Sequence, residues 1–185
     1  MKAGKIFLIL APLGVGKEEL LEKLGQKLKF WRIKEITTLV PETKIEKKHY
    51  SSVSWGEFKT LVEKEQLAVS VQRDGHYFGV TNKELNQALD SGLPIIWDIY
   101  YGEGARIKNE FPSVFSILIT SSLKDIRERL SRRGLISENL LNSTLMKSKE
   151  EIDKALTVAD YILVNKEEDK EKSFLEFLDV MEARL

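Results

Sequence analysis

Lys5-Ile-Phe-Leu-Ile-Leu-Ala-Pro-Leu-Gly-Val-Gly-Lys-Glu-Glu-Leu-Leu-Glu-Lys-Leu24 is the stretch whose reading decides the fold. Ile6 to Leu10 is short, unbroken and apolar, as a parallel strand covered on both faces is. From Lys17 the apolar residues recur at Leu20, Leu21, Leu24 and Leu28, one stripe of a helix. Between them Gly14, Val15 and Gly16 form a glycine loop whose backbone N–H groups converge on an anion at a helix N-terminus, with the charge of Lys17 beside them. Strand, phosphate loop and helix in that order predict a phosphate cradle. One position departs from the motif. The loop lysine is ordinarily followed by Ser or Thr, whose hydroxyl reaches Mg²⁺, and here Glu18 follows Lys17. A carboxylate there can hold a cation or accept N–H groups, but it repels phosphate. The expectation is a loop that binds phosphate with changed metal geometry.

Composition sets the frame. A chain of 185 residues, 42% hydrophobic and 31% charged, buries a sizeable core as one domain. Its 29 basic residues balance 29 acidic ones, so no overall field draws in nucleic acid or an anionic membrane, and any anion site is local. Without Cys there are no disulfides or thiolate metal sites, and two His leave few other ligands; no side-chain metal site is predicted. A reducing compartment, the cytoplasm, follows. No apolar stretch reaches membrane-spanning length.

Further along, Trp31 to Thr37 reads as a strand and Thr37 to Lys48 as a loop. Ser54 with Glu57 forms a capping box ahead of a short helix through Phe58, Leu61 and Val62. Leu67 to Gln72 alternates, and Arg73-Asp-Gly-His76 turns into Tyr77 and Phe78, a small antiparallel patch. Thr81 with Glu84 caps another helix, ended by Gly92 and Pro94. Pro94–Ile99, Val114–Ile119 and Tyr161–Val164 read as buried strands. Strands alternating with helices imply a parallel sheet with right-handed crossovers. Ser122 to Leu156 is charged and helical with a break at Gly134, two helices projecting from the core, and the last helix packs Phe174, Phe177 and Met181 on the sheet. Trp31, Trp55 and Trp97 read as core or interface residues.

Several pieces stand in a specific order: Gly4-Lys5 before Ala11-Pro-Leu-Gly-Val-Gly-Lys17, Thr37-Thr38, Tyr50-Ser-Ser-Val-Ser54 before Phe58, and Gly75-His-Tyr-Phe-Gly79. They continue with Asp98-Ile99, Arg129-Leu-Ser-Arg-Arg-Gly134 and Tyr161-Ile-Leu-Val-Asn165. Together they resemble the guanylate kinase family along nearly the whole chain. That resemblance implies an α/β, three-layer P-loop nucleoside-monophosphate-kinase fold. Its parallel core sheet, with helices on both faces, would comprise residues 1–32, 82–125 and 159–185. A small acceptor-binding subdomain would span 33–81 and a helical lid 126–158. It also implies ATP and Mg as cofactors, weakened by Glu18. By the same resemblance, Lys17 and the lid arginines Arg129 and Arg133 act in catalysis, and Gly14, Val15, Gly16, Lys17, Glu18 and Asn165 hold the nucleotide. Thr38, Tyr50, Phe78, Asp98 and Tyr100 fall at acceptor-side positions.

The departures from the family pattern gather where it holds GMP. Its Thr-Thr-Arg-x-Pro-Arg segment reads Thr37-Thr-Leu-Val-Pro-Glu42 here, without either phosphate-holding arginine. At roughly 1.5 to 3 kcal/mol per charge-assisted bond, two losses weaken phosphate binding by about two to four decades. The guanine-reading glutamate and aspartate fall at Val69 and Tyr100, a second tyrosine is Phe78, a Ser or Thr is Val80, and a third lid arginine is Thr144. Three readings remain open. The first is a protein that binds a nucleotide, phosphate compound or protein partner without phosphorylating GMP, as kinase-like domains of membrane-associated guanylate kinase homologues bind proteins. The second is a kinase of another phosphate acceptor, since the ribose bisphosphokinases, which the chain resembles in outline, also carry an acidic residue after the loop lysine. The third is a weak guanylate kinase.

Overall fold

The computed structural model describes residues 4–99, 101–132 and 137–185. The elements run β1 (Ile6–Leu10), α1 (Lys17–Lys27), β2 (Trp31–Arg32), β3 (Glu35–Thr37), α2 (Lys44–His49), β4 (Tyr50–Ser52), α3 (Trp55–Glu63), β5 (Leu67–Arg73), β6 (His76–Thr81) and α4 (Asn82–Asp90). They continue with β7 (Ile95–Ile99), α5 (Tyr101–Glu110), β8 (Phe115–Thr120), α6 (Leu123–Arg132), α7 (Glu138–Ala155), β9 (Tyr161–Val164) and α8 (Lys170–Glu182). One sheet has the strand order β2-β7-β1-β8-β9, the other β4-β3-β6-β5. This is the mixed α/β fold with a parallel core sheet and a second, smaller sheet.

The chain divides into two compact units. One comprises residues 6–30 and 97–185. Here β1 pairs β8 and β8 pairs β9, both parallel, and every residue of β1 is buried. Helix α1 packs with α8, and α5 packs with α7 and β1, which gives helical layers to the sheet. The sequence reading missed α5. Two glycines in Tyr101-Gly-Glu-Gly-Ala lower helix propensity, yet a Cβ on Gly104 would stand 3.0 Å from Val158 Cγ1 and 3.2 Å from Leu10 Cδ2, so glycine is what lets α5 approach β1 this closely. The two charged helices do form, but α7 does not project from the core. It packs against α5, α6 and β8 and buries Leu141, Leu145, Ser148 and Ala155. Arg133 and Gly134, at the expected break, lie outside the described residues, as does Tyr100.

The other unit comprises residues 31–96 with the described residues ahead of β1. The expected strand from Trp31 to Thr37 is two strands. Trp31 N and Ile33 N donate to Pro94 O and Ile96 O, whereas Lys34 N donates to the Glu84 carboxylate and the chain then enters the smaller sheet as β3. Glu84 consequently does not return to its own helix cap. Thr81 Oγ1 accepts from Glu84 N, and the Glu84 carboxylate accepts from Trp31 Nε1 at 2.9 Å.

The expected 37–48 loop contains α2, held by a capping box in which Thr43 Oγ1 accepts from Glu46 N while Glu46 Oε2 accepts from Thr43 N and Glu42 N. The Ser54–Glu57 box caps α3 as its sequence predicts. The smaller sheet is mixed, since β5–β6 and β3–β6 are antiparallel but β3–β4 is parallel. The short α2 between β3 and β4 supplies the return that a parallel pair needs. Trp97 is buried, whereas Trp55 is half exposed and stacks on Tyr77 at 4.4 Å between ring centroids.

Candidate functional site

The loop between β1 and α1 has the geometry its glycines allow. Gly14 and Gly16 take φ of +88° and +87°, a left-handed backbone that other residues adopt only with strain. Space enforces the choice as well: a Cβ on Gly16 would lie 2.5 Å from Asn165 Nδ2, and one on Gly14 2.9 Å from Ile126 Cγ2. Gly16 is the N-cap of α1 and brings no side-chain cap, so the helix start presents backbone N–H groups in the manner of an anion site.

Lys17 stands at that helix start with carboxylates on both sides, 3.2 Å from Asp98 Oδ1 at the end of β7 and 3.6 Å from Glu18 Oε1. A phosphate entering the loop therefore competes with two carboxylates for the ammonium. Behind the loop, Val15 O accepts from Asn165 Nδ2 at 2.8 Å and from Arg129 Nη1 at 2.9 Å. Arg129 is 9% exposed; its other donors go to Asn165 O, Ser121 Oγ and Glu167 Oε2. It is thus a buried strut holding the loop from below.

Glu167, not singled out by the sequence, gathers three cations. Arg129 Nε lies 2.7 Å from it, Arg132 Nη2 2.6 Å and Lys170 Nζ 3.3 Å. The hydrogen bond from Arg129, with those from Arg132 and Lys170, holds its carboxyl down at about 2 against the opposing effect of burial. A recess of about 190 Å³ opens among Gly16, Glu18, Glu19, Arg129, Arg132 and Lys170. Thr144, in contrast, donates to Leu140 O within α7.

These residues fit a nucleotide's phosphates. The glycine conformations, the helix start and Lys17 supply the cradle, and Asn165 Oδ1 is buried with no hydrogen-bond partner among the described residues, an acceptor suited to an N–H of a base. Glu18 and Asp98, both beside Lys17, are the carboxylates that would face a magnesium ion; no group of three or more His, Asp or Glu residues that could hold a metal ion occurs among the described residues.

Of the residues expected on the acceptor side, Thr38, Tyr50 and Phe78 lie on or next to the small sheet, and Asp98 lies in β7 of the other sheet. Thr38 exchanges bonds with β6: its N donates to Tyr77 O and its Oγ1 accepts from Tyr77 N. Glu35 pairs Tyr50, and Ile36 pairs Gly79, which sets Glu35 beside Val80; Val80 in turn pairs Val69. Tyr50, Glu35, Val80 and Val69 form one cross-strand row. In the next row Thr37 pairs Phe78, and Phe78 pairs Val71. From the far end of β5 Arg73 reaches back, its guanidinium 3.8 Å from the Phe78 ring centre, 3.3 Å from Tyr50 Oη and 4.0 Å from Glu35 Oε2. Local sequence shows Arg73 only as part of a turn and Glu35 only as a strand residue; their strand register, two rows apart on one face, is what brings them together.

A phosphate loop at the end of a parallel strand, opening a helix, defines a P-loop α/β protein. The match is more specific than that class. A family model described as guanylate kinase matches residues 3–183, and the chain belongs to that family. It is 28% identical to a guanylate kinase of Buchnera aphidicola subsp. Baizongia pistaciae over 174 residues, 89% of this chain and 82% of that one. Against a guanylate kinase of Haemophilus influenzae it is 28% identical over 189 residues, 99% of this chain and 89% of the relative. The crystal structure of guanylate kinase from Anaplasma phagocytophilum shares the fold with a TM-score of 0.71 at 22% identity, covering 99% of this chain and 87% of that one. No helix among the described residues is long and apolar enough to cross a membrane.

Proposed function

We propose that this member of the guanylate kinase family binds a nucleotide or another phosphate compound at residues 11–18 and does not phosphorylate GMP. The acceptor sheet carries this reading. Val69 and Val80 put apolar side chains in the row where a guanine would need a carboxylate, and residues 39–42 lead into the capped helix α2 with Leu39 and Glu42 in place of phosphate-holding arginines. A site built to hydrogen-bond one base discriminates through those bonds, and here they are missing. Guanylate kinase is what the similar proteins are called, and GMP phosphorylation is the activity their names suggest; the chemistry of this sheet argues against it.

ATP, when bound, supplies a transferable phosphoryl group. Lys17 and the α1 helix start would hold its phosphates, Glu18 and Asp98 would face its metal ion, and Arg129 would keep the loop in shape. Binding requires Lys17 to leave at least one of its two carboxylates for phosphate oxygen. Protein-partner binding by the kinase-like surface belongs to the same reading.

A second reading, an ATP-dependent kinase of an acceptor other than GMP, is favoured by one observation: a guanidinium, that of Arg73, stands beside Tyr50 on the acceptor sheet. Phosphorus NMR separates the readings, using the full chain with Mg-ATP and either GMP, other nucleoside monophosphates or ribose bisphosphate, and Lys17→Ala as control. The expected result is ATP binding without GDP formation. GDP produced by the protein and abolished in the control overturns the first reading, and turnover of another acceptor establishes the second.

A further inference from the structure

We infer that β9 pairs antiparallel with the β9 of a second copy of this chain, about a two-fold axis through Leu163, so that the protein forms a homodimer through its sheet edge. A strand at the end of a sheet presents unpaired N–H and C=O groups unless its sequence blunts it. Among the described strands at sheet ends, β2 is two residues long and includes Arg32, β4 is Tyr-Ser-Ser, and β5 ends on Gln72 and Arg73. In contrast β9 is Tyr161-Ile-Leu-Val164, of high strand propensity and without charge or proline, and its one strand neighbour is β8.

The backbone fixes which residues of β9 are available. In a parallel ladder alternate residues of a strand bond the same neighbour. Asn165 N donates to Thr120 O at 2.8 Å, so the odd-numbered residues turn their backbone groups to β8, and Ile162 and Val164 turn theirs outward. Burial agrees, with Leu163 0% exposed against 44% for Ile162 and 43% for Val164. Tyr161 Oη donates to Glu176 Oε1 of α8, so the odd side chains lie toward that helix and those of Ile162 and Val164 stand on the opposite face. The edge is bounded at both ends: Asp160 N donates to Ser116 O and Lys166 N to Ser173 Oγ. Ile162 and Val164 are the outward pair between these limits.

This edge is complementary to itself in one register. An axis through Leu163 sets Ile162 opposite Val164 of the second copy, and Val164 opposite Ile162. Each of these pairs exchanges two backbone hydrogen bonds and packs two β-branched side chains together on one face. The same register brings Lys166 opposite Asp160 of the second copy, a contact of opposite charges. Asp160 already pairs with Lys108 at 2.6 Å, so this contact selects the register more than it adds affinity. An axis through Ile162 or Val164 instead sets that residue opposite itself and leaves the other facing residue 160 or 166, whose N–H is already donated. The occupant that fits the edge is therefore this same strand reversed.

The contact is short, so the dimer is expected to be weak and to form between about 10 µM and about 1 mM protein. Two measurements on the full chain test it. Sedimentation velocity is expected to pass from monomer to dimer over that range. Amide hydrogen exchange, followed by ¹⁵N NMR at both ends of the range, is expected to slow at Ile162 and Val164 by about ten-fold at the upper end, with no change at Leu163, which bonds β8 in either state. Ile162→Lys, at a half-exposed position outside the core, is expected to weaken association by about ten-fold or more with its circular dichroism unchanged, and the surface change Lys166→Glu by about three-fold. Lys17→Ala is expected to dimerise like the wild type, since the edge is independent of the phosphate loop. A monomer at every concentration overturns the inference, as do a dimer that survives Ile162→Lys and one that forms without slowing exchange at Ile162 and Val164. Slow exchange at these two amides in the monomer overturns it as well, by showing that the chain covers its own edge.

Discussion

The phosphate loop and the small sheet differ in how their charged groups are held. The loop keeps its glycines and its lysine, and the surrounding carboxylates Glu18, Asp98 and Glu167 engage the cations Lys17, Arg129, Arg132 and Lys170. In the small sheet and the segment after β3, the function proposed above rests on Leu39, Glu42 and Val69 standing where the resemblance implies ligand-holding residues, while the guanidinium of Arg73 lies 3.8 Å from the Phe78 ring centre. The comparison teaches that conserving a motif and conserving a binding site are different things. In the first region the partners of the motif residues decide what those residues can do; in the second the strand register decides which side chains meet.

The largest expected effect would break the contrast. Leu39→Arg with Glu42→Arg is expected to strengthen GMP binding by about two decades or more, measured by calorimetry, because two charge-assisted bonds return and one repulsion goes. No gain would mean that the missing arginines do not account for the loss. Next in size is Arg129→Ala, expected to cost about 3 kcal/mol in urea unfolding, since it strips a buried ion pair and takes one donor each from Val15 O, Asn165 O and Glu167. A change below about 1 kcal/mol would show that Arg129 is no strut.

The Glu167 clamp sharpens the same point through pH. Its folded pKa, about 2, lies below the ordinary 4.5, so its contribution is complete above about pH 4.5 and is lost as pH falls toward 2. The difference in Tm between wild type and Glu167→Gln is therefore expected to shrink over that window, and a constant difference would disprove the linkage. Smallest is Ser54→Ala, expected to cost about 1 kcal/mol through the α3 cap in the acceptor region. Unaltered ATP binding in that variant would show that the two regions respond separately.

The legible parts were those with local signals. Strand β1 and its loop follow from an apolar run and glycines, and α3 from a capping box. Helix α2 carries the same kind of signal, Thr43 with Glu46, but it stands among polar residues after Pro41 with no apolar run behind it, and so it reads as loop. Helix α5 was hidden because its glycines serve a close approach that no local pattern records. At the site, Lys17 and Asn165 were recognisable from motif order. Glu167 and Glu35 were not, because their roles arise from partners 35 and 38 residues away, Arg132 and Arg73, and sequence distance conceals such pairs. Tyr100 and Arg133 remain expectations of the sequence.

The support beneath the loop has a consequence for how the protein comes into being. Val15 O is held by donors 114 and 150 residues further along, Arg129 and Asn165. A chain growing from its amino terminus carries the whole glycine motif well before it carries the second of those supports, 150 residues further on. Contacts of such long sequence separation close slowly and late. A ribosome-bound nascent chain halted before residue 165 thus holds the glycine motif without the full support of Val15 O.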